Sequence, residues 1–520
     1  MRPLQKYLPL ATSVILMYVV LLLIYPHFQY FIDPDGTAYL TISRRYAAGD
    51  YEKAINGYWS PWSCWLTALL MKKGIAAIPA SVIINALGAT GLLYITQSLL
   101  LRFKTTVQLQ WPLMLSLSVF LCYAVFWQSF DDLWECFFLL TTLRLILYPQ
   151  FSQKTAMWLS TGAIGALAYF SKAYSFPFFI LNTICCVYFV TEKNKKQWIK
   201  ICAISIGAML LFSLPWIFLL HNKYGIWTTS TAGPLNTSWY LVGHPYWKEG
   251  IEHILPPVYS DSPYYWEDPY IVNGITPHFW SSWHLMGLQL LRVGLNSLKL
   301  IASMLQLSIF FPLVALLSFY SWFKKPDRDR YSTDLKVITL SFLLFPLGYI
   351  LINFESRYLW YMLPLAMIIG SYIITDNPFL AKRKVNMNLF YWLFALSFTV
   401  FPIRTMLIQY HTGKDEATLA TKLNASGIKG SFTSNAHPGA QMQSTIRLAY
   451  LSGNSYYIVP LPDSLSDNDI ITNARQYNVK YYLRYNTRKS NRNYNSNLPV
   501  LMTEPSGVWT IYDLGKTSDY

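Results

Sequence analysis

The sequence contains few charged side chains for its length. Asp, Glu, Lys and Arg make up 13% of the 520 residues, whereas an average soluble domain has roughly 25%. A single soluble globule is therefore a poor description of the chain. Glycine and proline are also sparse, with 25 and 28 residues. This composition excludes a collagen-like chain and argues against a disordered one.

Cysteine is scarce as well, with six residues in the chain. All of them except Cys64 lie within or at the ends of apolar runs. Their spacing matches neither a disulfide framework nor a zinc site. We expect buried free thiols, with a bridge between Cys122 and Cys136 as the alternative.

Apolar and aromatic residues are abundant instead, at 53% and 17% of the chain. A helix that crosses a hydrocarbon core of ~30 Å needs about 20 mainly apolar residues. The sequence predicts an all-α polytopic membrane protein with about eleven transmembrane helices. The predicted segments are 8–25, 80–101, 111–127, 133–148, 156–170, 174–190, 198–220, 301–323, 337–353, 358–375 and 388–407.

The charge distribution predicts the orientation of these helices. Lysine and arginine exceed aspartate and glutamate, 41 against 26, for a net charge of +15. With the N-terminus in the cytoplasm, every inner loop carries basic residues, as the positive-inside rule requires. The basic balance is then explained without a nucleic-acid partner. The residues on the inner side are Arg2, Lys6, Arg102, Lys104, Lys154, Lys193, Lys195, Lys196, Lys200, Lys324, Lys325, Arg328, Arg330, Lys336, Lys382, Arg383 and Lys384.

The opposite, extracytoplasmic side is predicted to receive the outer loops 26–79 and 221–299, a short turn near Asp131 and the segment 410–520. That segment lacks long apolar runs and alternates strand-like pieces with helical stretches, which predicts a soluble α/β domain. We therefore divide the chain into a transmembrane module, 1–409, and an extracytoplasmic domain, 410–520. The predicted strands are 456–459, 479–484 and 508–512, and the predicted helices are 416–424 and 467–477.

Two carboxylates, Asp33 and Asp35, stand just outside the first apolar segment. An aspartate in this position commonly caps a following helix, which is expected at 37–48. A carboxylate at the membrane surface, beside Arg44 and Arg45, could instead act as a general base on a hydroxyl or an amine. One of the two carboxylates can cap the helix while the other acts as the base.

Three acids, Asp131, Asp132 and Glu135, cluster at the mouth of the fourth apolar segment. On a helix, Asp131 and Glu135 are at positions i and i+4, where like charges repel. A basic side chain, a metal ion or a substrate amine would stabilise such a cluster at the hydrocarbon boundary. The alternative is a solvated acidic turn without a partner.

Two cations, Lys172 and Arg357, fall on the predicted outer face, against the inside-positive trend. Lys172 could simply extend from a helix end into water, and Arg357 could pair with Glu355. A phosphate at the outer leaflet would also use this pair of cations, because Arg offers bidentate hydrogen bonds and Lys offers a point charge.

Taken together, these motifs resemble the GT-C superfamily of integral membrane glycosyltransferases, specifically the protein O-mannosyltransferase and aminoarabinose transferase-like group (glycosyltransferase family 39-like). In that group an Asp followed by a Glu usually precedes a Tyr-rich helix. Alignment on Tyr39-Leu40 places Asp35 at the Asp and Gly36 at the Glu. The matching stretches are Asp33-Pro-Asp35-Gly-Thr-Ala-Tyr39-Leu40, Asn56-Gly-Tyr-Trp-Ser-Pro61, Asp131-Asp132, Gly165-Ala-Leu-Ala-Tyr-Phe-Ser-Lys172 and Glu355-Ser-Arg357-Tyr358.

The resemblance implies a GT-C fold and an enzyme that transfers a sugar from a polyprenyl-phosphate-linked donor to a lipid, glycan or protein acceptor, with inversion. It implies that the catalytic base is Asp35, with Asp33 as the other candidate. The roles implied for the remaining residues are donor phosphate binding by Lys172, Arg357 and Arg44, and an acceptor or metal site formed by Asp131, Asp132 and Glu135.

The resemblance fixes no cofactor, and a divalent cation, Mg²⁺ or Mn²⁺, stays an option. It implies a multi-pass protein of a bacterial inner membrane with a cytoplasmic N-terminus and a periplasmic C-terminal domain. The partners are then the lipid-linked donor, the acceptor and the lipid bilayer. The alternative function is a transporter or flippase of lipid-linked sugars. Transporters usually have midplane ionisable sites and repeated halves. Here the ionisable groups lie at helix ends, apart from Arg144, whose long side chain can extend to the inner membrane surface, and no repeat is detected.

Overall fold

The computed structural model describes residues 3–127, 131–242, 254–273, 277–323, 330–375, 386–460, 462–486, 498–504 and 508–515. In these ranges, α-helices form most of the chain up to Ile408, and a mixed sheet with flanking helices follows. Some basic residues of the predicted inner side lie outside the described residues, namely Arg2, Lys324, Lys325, Arg328 and 382–384.

The helices of the first half run from the N-terminus to the long outer loop. They are α1 (Leu8–Phe28), α2 (Pro34–Ala48), α3 (Tyr51–Ala54), α4 (Trp62–Met71), α5 (Ala77–Arg102), α6 (Val107–Phe126), α7 (Asp131–Ile146), α8 (Thr155–Ser171), α9 (Ser175–Val190), α10 (Lys195–Tyr224) and α11 (Ala232–Val242).

The helices of the second half complete the membrane region. They are α12 (Pro269–Asn273), α13 (Trp283–Leu307), α14 (Phe311–Phe323), α15 (Arg330–Ile352), α16 (Met362–Thr375), α17 (Met387–Leu396) and α18 (Val400–Ile408). Short 3-10 helices lie between them at Tyr265–Glu267, Phe279–Ser281 and Ser356–Leu359.

Seven helical stretches among the described residues are long and apolar enough to cross a membrane. The chain is therefore an integral, multi-pass membrane protein, as predicted. Most other predicted spans coincide with shorter helices, such as α7 and α8, which have 16 and 17 residues. The seven stretches are Gln5–Phe28, Ala77–Arg102, Val107–Phe126, Lys195–Tyr224, Trp283–Leu307, Thr333–Ile352 and Met387–Ile408.

The predicted span 301–323 is wrong. The chain there forms the end of α13 and the whole of α14, which are separated at Ser308. The Ser308 hydroxyl accepts a hydrogen bond from the Phe310 N–H at 3.1 Å, a local bond that competes with helix continuation. Because α13 begins at Trp283, it also starts within the predicted outer loop 221–299. Arg292 and Lys299 interrupt its apolar run, so the sequence does not show this helix as one unbroken apolar segment.

The main apolar core lies among α1, α5, α6, α7, α9, α15, α16 and α17. Leucines on the outer surface of the bundle, such as Leu22 and Leu23 of α1, are exposed, as expected for side chains that face lipid. All six cysteines are free thiols, so the bridge between Cys122 and Cys136 is not formed.

The local sequence explains why α2 begins where it does. Asp33 precedes the helix, and its Oδ1 accepts a hydrogen bond from the Gly36 N–H at 2.6 Å. Pro34 occupies the first helical position. A backbone N–H at this position has no partner within the helix, so the missing N–H of proline costs nothing there. Gly49 ends the helix in the left-handed region, with φ of +81°. Asp33 is therefore the cap, and Asp35 follows in the first turn.

The C-terminal region is an α/β domain, which confirms the predicted fold class. Its sheet has the order β2-β1-β3-β5-β4, with β2, β1 and β3 parallel and β5 antiparallel to both β3 and β4. Its elements are α19 (Lys414–Ala425), β1 (Ser431–Ser434), α20 (Ala440–Ser452), β2 (Ser455–Tyr457), α21 (Asp467–Gln476), β3 (Tyr481–Tyr485), β4 (Val500–Thr503) and β5 (Trp509–Asp513).

This domain contacts both outer loops. Helix α20 packs against α2, and Leu255 of the long loop forms an antiparallel bridge with Ile458, next to β2. In the sheet, Phe432 of β1 is paired with Tyr456 of β2 and Tyr481 of β3. The two outer loops and the C-terminal domain therefore lie on one side of the helix bundle.

Candidate active site

A cavity of about 370 Å³ opens where the outer loops meet the helix bundle. Its walls come from α2, α7, the junction of α8 and α9, α11, α15 and the 3-10 helix Ser356–Leu359. Five of the residues predicted from sequence line it, although they belong to four distant segments of the chain. These residues are Asp35, Asp131, Asp132, Lys172 and Arg357.

The two carboxylates of the first outer loop have different environments. Asp35 lines the cavity, and its Oδ2 accepts a hydrogen bond from Arg357 Nη2 at 2.8 Å. Asp33 is not among the lining residues, and its carboxylate is committed to capping α2. Burial and the neighbouring charge of Asp35 raise the pKa of Asp33 to about 7.

Arg357 connects two carboxylates at the cavity wall. Besides Asp35, it contacts Glu355, with 2.8 Å between Nε and Oε2. Burial opposes the charge of this guanidinium, but Glu355 and Asp35 outweigh that effect and raise the pKa of Arg357. Arg357 therefore stays charged inside the protein.

The three acids at the start of α7 are buried, each with 2% of its surface exposed, which excludes the solvated acidic turn. Asp131 accepts a hydrogen bond from the Ser63 N–H at 3.0 Å. Asp132 forms an ion pair with Lys172. Glu135 accepts a hydrogen bond from the Ser175 hydroxyl at 2.8 Å and is not among the cavity-lining residues.

Asp132 retains bonding capacity toward the cavity that it lines. Within the described residues its Oδ2 has no hydrogen-bond partner. A buried, unpaired polar oxygen is costly unless something completes its hydrogen bonding. A hydroxyl or an amino group of a bound molecule would do so.

Aromatic rings surround the ammonium group of Lys172. Its Nζ lies 4.7 Å from the ring centroid of Tyr358 and 6.0 Å from that of Tyr349. The two tyrosine rings are stacked, with centroids 4.0 Å apart. Rings at this distance attract a cation, so the ammonium group is held at the cavity wall by the ion pair with Asp132 and by these two rings.

Arg44, the third predicted phosphate ligand, lies elsewhere. Its guanidinium carbon is 3.9 Å from the ring centroid of Tyr450, in α20, and Arg44 is not among the lining residues of the cavity. The structure therefore brings Lys172 and Arg357 together without Arg44.

Sequence reasoning gave no site role to several lining residues. From the sequence, Glu355 is expected only as a partner of Arg357, and the aromatic rings of the long outer loop have no assigned role. Tyr58 donates a hydrogen bond to Asn236 Oδ1 at 2.9 Å, and Tyr240 and Trp266 complete this wall. The aromatic density of the loop was the available signal, but it is equally typical of a membrane interface.

Ion pairs fasten the long outer loop over the first one. Arg45 of α2 contacts Glu267, with 3.1 Å between Nη2 and Oε2, and Asp261, with 3.0 Å between Nη1 and Oδ2. Lys223 contacts Asp268 within the long loop at 2.9 Å, and its Nζ also donates a hydrogen bond to the backbone carbonyl oxygen of Ile55 in the first loop. These pairs bracket the 3-10 helix Tyr265–Glu267 and so hold Trp266 at the cavity.

The residues of the cavity do not fit a protein-held metal centre. Within the described residues, no three His, Cys, Asp or Glu side chains come together as ligands. Of the two adjacent carboxylates, Asp132 already pairs with Lys172 and Asp131 is bound by Ser63. We therefore derive no chemical step through a metal.

The helix bundle and the C-terminal α/β domain have the GT-C fold that the sequence resemblance implies. Among solved structures, the chain is similar to ArnT from Cupriavidus metallidurans bound to undecaprenyl phosphate. The identity is 12%, the TM-score is 0.58, and the match covers 97% of this chain and 98% of that one.

A second similar structure is the oligosaccharyltransferase of Archaeoglobus fulgidus in complex with Zn and sulfate. The identity is 11% and the TM-score 0.54, over 92% of this chain and 68% of that one. At such identities the likeness concerns the fold. No protein-family model and no curated protein matches the sequence.

Proposed function

We propose that this protein is a membrane glycosyltransferase that transfers a sugar from a polyprenyl-phosphate-linked donor to an acceptor on the extracytoplasmic face. One observation carries the proposal: in a GT-C fold, a single cavity contains the carboxylate of Asp35 and the two cations Lys172 and Arg357. A positioned base and preorganised positive charge are what transfer from a phosphate leaving group requires.

The donor is assigned from the two cations and the fold. The ArnT structure of similar fold contains undecaprenyl phosphate, and a polyprenyl phosphate here would place its phosphate between Lys172 and Arg357. Each cation now contacts a carboxylate, Asp132 or Asp35. The donor phosphate would compete with these carboxylates for the cations, while the lipid chain lies among the helices.

Asp35 is the base in this proposal because it lines the cavity, whereas Asp33 caps α2. The acceptor hydroxyl or amine loses its proton to Asp35 and attacks the anomeric carbon, forming the new glycosidic bond. The bond between that carbon and the phosphate oxygen breaks, and the phosphate leaves with the electron pair. Lys172 and Arg357 stabilise the charge that grows on it. A single displacement inverts the anomeric configuration.

Asp131 and Asp132 contact the sugar or the acceptor in this proposal. The Oδ2 of Asp132, which has no hydrogen-bond partner among the described residues, would accept a hydrogen bond from it. The rings of Tyr58, Tyr240 and Trp266 offer apolar faces to sugar rings. The acceptor is a lipid, a glycan or a protein. The proposed location is a bacterial inner membrane, with the cavity and the C-terminal domain in the periplasm.

The proposal is tested by sugar transfer with the purified protein. A panel of polyprenyl-phosphate sugars with radiolabelled sugar is incubated with an envelope extract as acceptor, and label in the acceptor is counted. Lys172→Gln should reduce transfer at limiting donor by about tenfold or more, because a charge-assisted bond contributes roughly 1.5–3 kcal/mol.

Lys53→Gln is the matched control for this experiment. Lys53 is a more exposed lysine of the same outer region, contacts Asp50 and Asp261 and does not line the cavity. It should transfer sugar at the wild-type rate. If the wild type consumes no donor of the panel, or if folded Lys172→Gln matches Lys53→Gln, the proposed role of the cavity is wrong.

A further inference from the structure

We infer that Arg447 of the C-terminal domain and Tyr264 of the long outer loop are positioning residues that together hold Asp35 in its reactive place. The inference rests on the proposed function, in which Asp35 is the base. It gives the C-terminal domain a part in catalysis, although none of the domain's described residues lines the cavity.

Arg447 reaches from α20 to the short segment that joins α1 to α2. Its Nε donates a hydrogen bond to the backbone carbonyl oxygen of Ile32 at 2.8 Å, and its Nη1 pairs with Glu416 of α19. Arg447 is 6% exposed, so both contacts are shielded from water. Ile32 immediately precedes Asp33, the cap of α2.

Tyr264 holds the same stretch from another direction. Its hydroxyl donates a hydrogen bond to the backbone carbonyl oxygen of Pro34 at 2.6 Å, and Pro34 immediately precedes Asp35. The side chain is 2% exposed. The neighbouring Glu267 is fixed to α2 through Arg45, so Tyr264 belongs to a part of the loop that cannot move independently of α2.

These two bonds fix the carbonyl groups on both sides of Asp33, at the point where the chain turns into α2. Asp35 lies one residue beyond the second bond, in the first turn of the helix. A base must lie within about 0.5 Å of its productive position, and a displacement of about 1 Å can reduce the rate about 100-fold. Loss of either bond should therefore slow the chemical step and leave donor binding by Lys172 and Arg357 intact.

The inference is tested with Tyr264→Phe and Arg447→Gln, compared with Arg484→Gln. Arg484 forms a buried ion pair with Asp467 in the same domain, at 2.9 Å between Nε and Oδ2, and is not among the described residues that line the cavity. Tyr264→Phe removes only a hydroxyl. We expect kcat to fall about tenfold or more in both test variants, with the KM for donor within about twofold of wild type, and no fall in kcat for folded Arg484→Gln. Arg447→Lys, which keeps the charge, should recover part of the loss.

Asp35→Asn is measured alongside, so that two failures can be told apart. If the wild type transfers sugar and Asp35→Asn does not, but folded Tyr264→Phe keeps the wild-type kcat, the positioning role is refuted and the proposed function stands. An equal fall of kcat in Arg484→Gln also refutes it. If the wild type transfers no sugar, both fail. Should Arg447→Gln not fold, Tyr264→Phe alone decides.

Discussion

Single residues explain why so many charges are buried in one cavity. Four carboxylates line it, those of Asp35, Asp131, Asp132 and Glu355, together with the cations Lys172 and Arg357. Burial of a charge is unfavourable unless the charge is paired. The two cations pair with Asp132, Asp35 and Glu355, and Asp131 accepts a hydrogen bond from Ser63 instead. A phosphate that replaced a carboxylate at either cation would keep that cation paired.

Asp33 contributes a pH dependence to the stability of the fold. Burial and the charge of Asp35 raise its pKa from 3.8 to about 7, while Arg357 and Arg447 act in the opposite direction. Between the unfolded pKa of 3.8 and the folded pKa of about 7, the folded protein therefore binds a proton that the unfolded chain has released. Stability from this group is present in full below that lower pKa and is lost as the pH rises toward 7. Asp33→Asn should remove this loss.

The measurement is the melting temperature of wild type and Asp33→Asn in detergent from about pH 4 to about pH 8. Asparagine caps a helix as well as aspartate does, so the cap itself is unchanged. The melting temperature of Asp33→Asn should increase relative to that of the wild type as the pH rises. A difference that is constant over this range would show that Asp33 titrates normally in the folded protein.

The site residues that could be predicted from sequence are those with an unusual charge at the end of an apolar run. Asp35, Asp132, Lys172 and Arg357 are of this kind. Tyr240 and Asn236 could not be predicted, because neutral polar and aromatic residues are common at membrane interfaces. The displacement of Arg44 onto Tyr450 depends on the docking of the C-terminal domain, which no local pattern encodes.

The sequence predicts some helices and strands and does not indicate others, for the same reason. Apolar runs predict α1, α5, α6 and α10, because an uninterrupted apolar run of about 20 residues is by itself sufficient to indicate a span. Helix α13 was missed in part because polar residues interrupt its apolar run. The sequence does not indicate the strand β1, Ser431–Ser434, because three of its four residues are serine or threonine, which are typical of a loop.

The junction of α19 with the first outer region depends on one glycine. Gly413, just before α19, has φ of +92°, and a Cβ there would collide with the Tyr30 carbonyl oxygen. Gly427 also has a positive φ, +69°, but a Cβ there would meet nothing within 4 Å. Gly413→Ala should therefore destabilise the protein by about 1–3 kcal/mol more than Gly427→Ala, the extra amount being the cost of the clash.

Thermal unfolding of the two glycine variants in detergent measures this difference. Both carry the left-handed backbone penalty of an alanine, so the comparison isolates the contact with Tyr30. Equal melting temperatures would mean that the C-terminal domain is not docked on the end of α1 as the structure has it.

In the whole molecule, the outer loops, the cavity and the C-terminal domain lie on one side of the helix bundle. The outer loops and the C-terminal domain contact one another through Leu255, Ile458 and the packing of α20 on α2. The positive-inside pattern predicts that this side is extracytoplasmic. A donor that carries its sugar on a membrane lipid would meet the cavity there without leaving the bilayer.

Reporter fusions test this orientation. Alkaline phosphatase, which requires the disulfides that form outside the cytoplasm, should be active when fused after Tyr520 and inactive when fused after Lys154 or Asn194 in the inner loops. The reverse pattern of activity would place the cavity in the cytoplasm and would contradict the proposed donor side.

The most direct test of sugar transfer with Asp35 as the base is single-turnover transfer by Asp35→Asn and Asp33→Asn. The variants make the same chemical change two residues apart, and both should keep the wild-type fold. Asp35→Asn should lose about 10²- to 10⁴-fold in rate, the usual contribution of a general base, and Asp33→Asn should stay within a few-fold of wild type. Transfer at the wild-type rate by folded Asp35→Asn would contradict the mechanism.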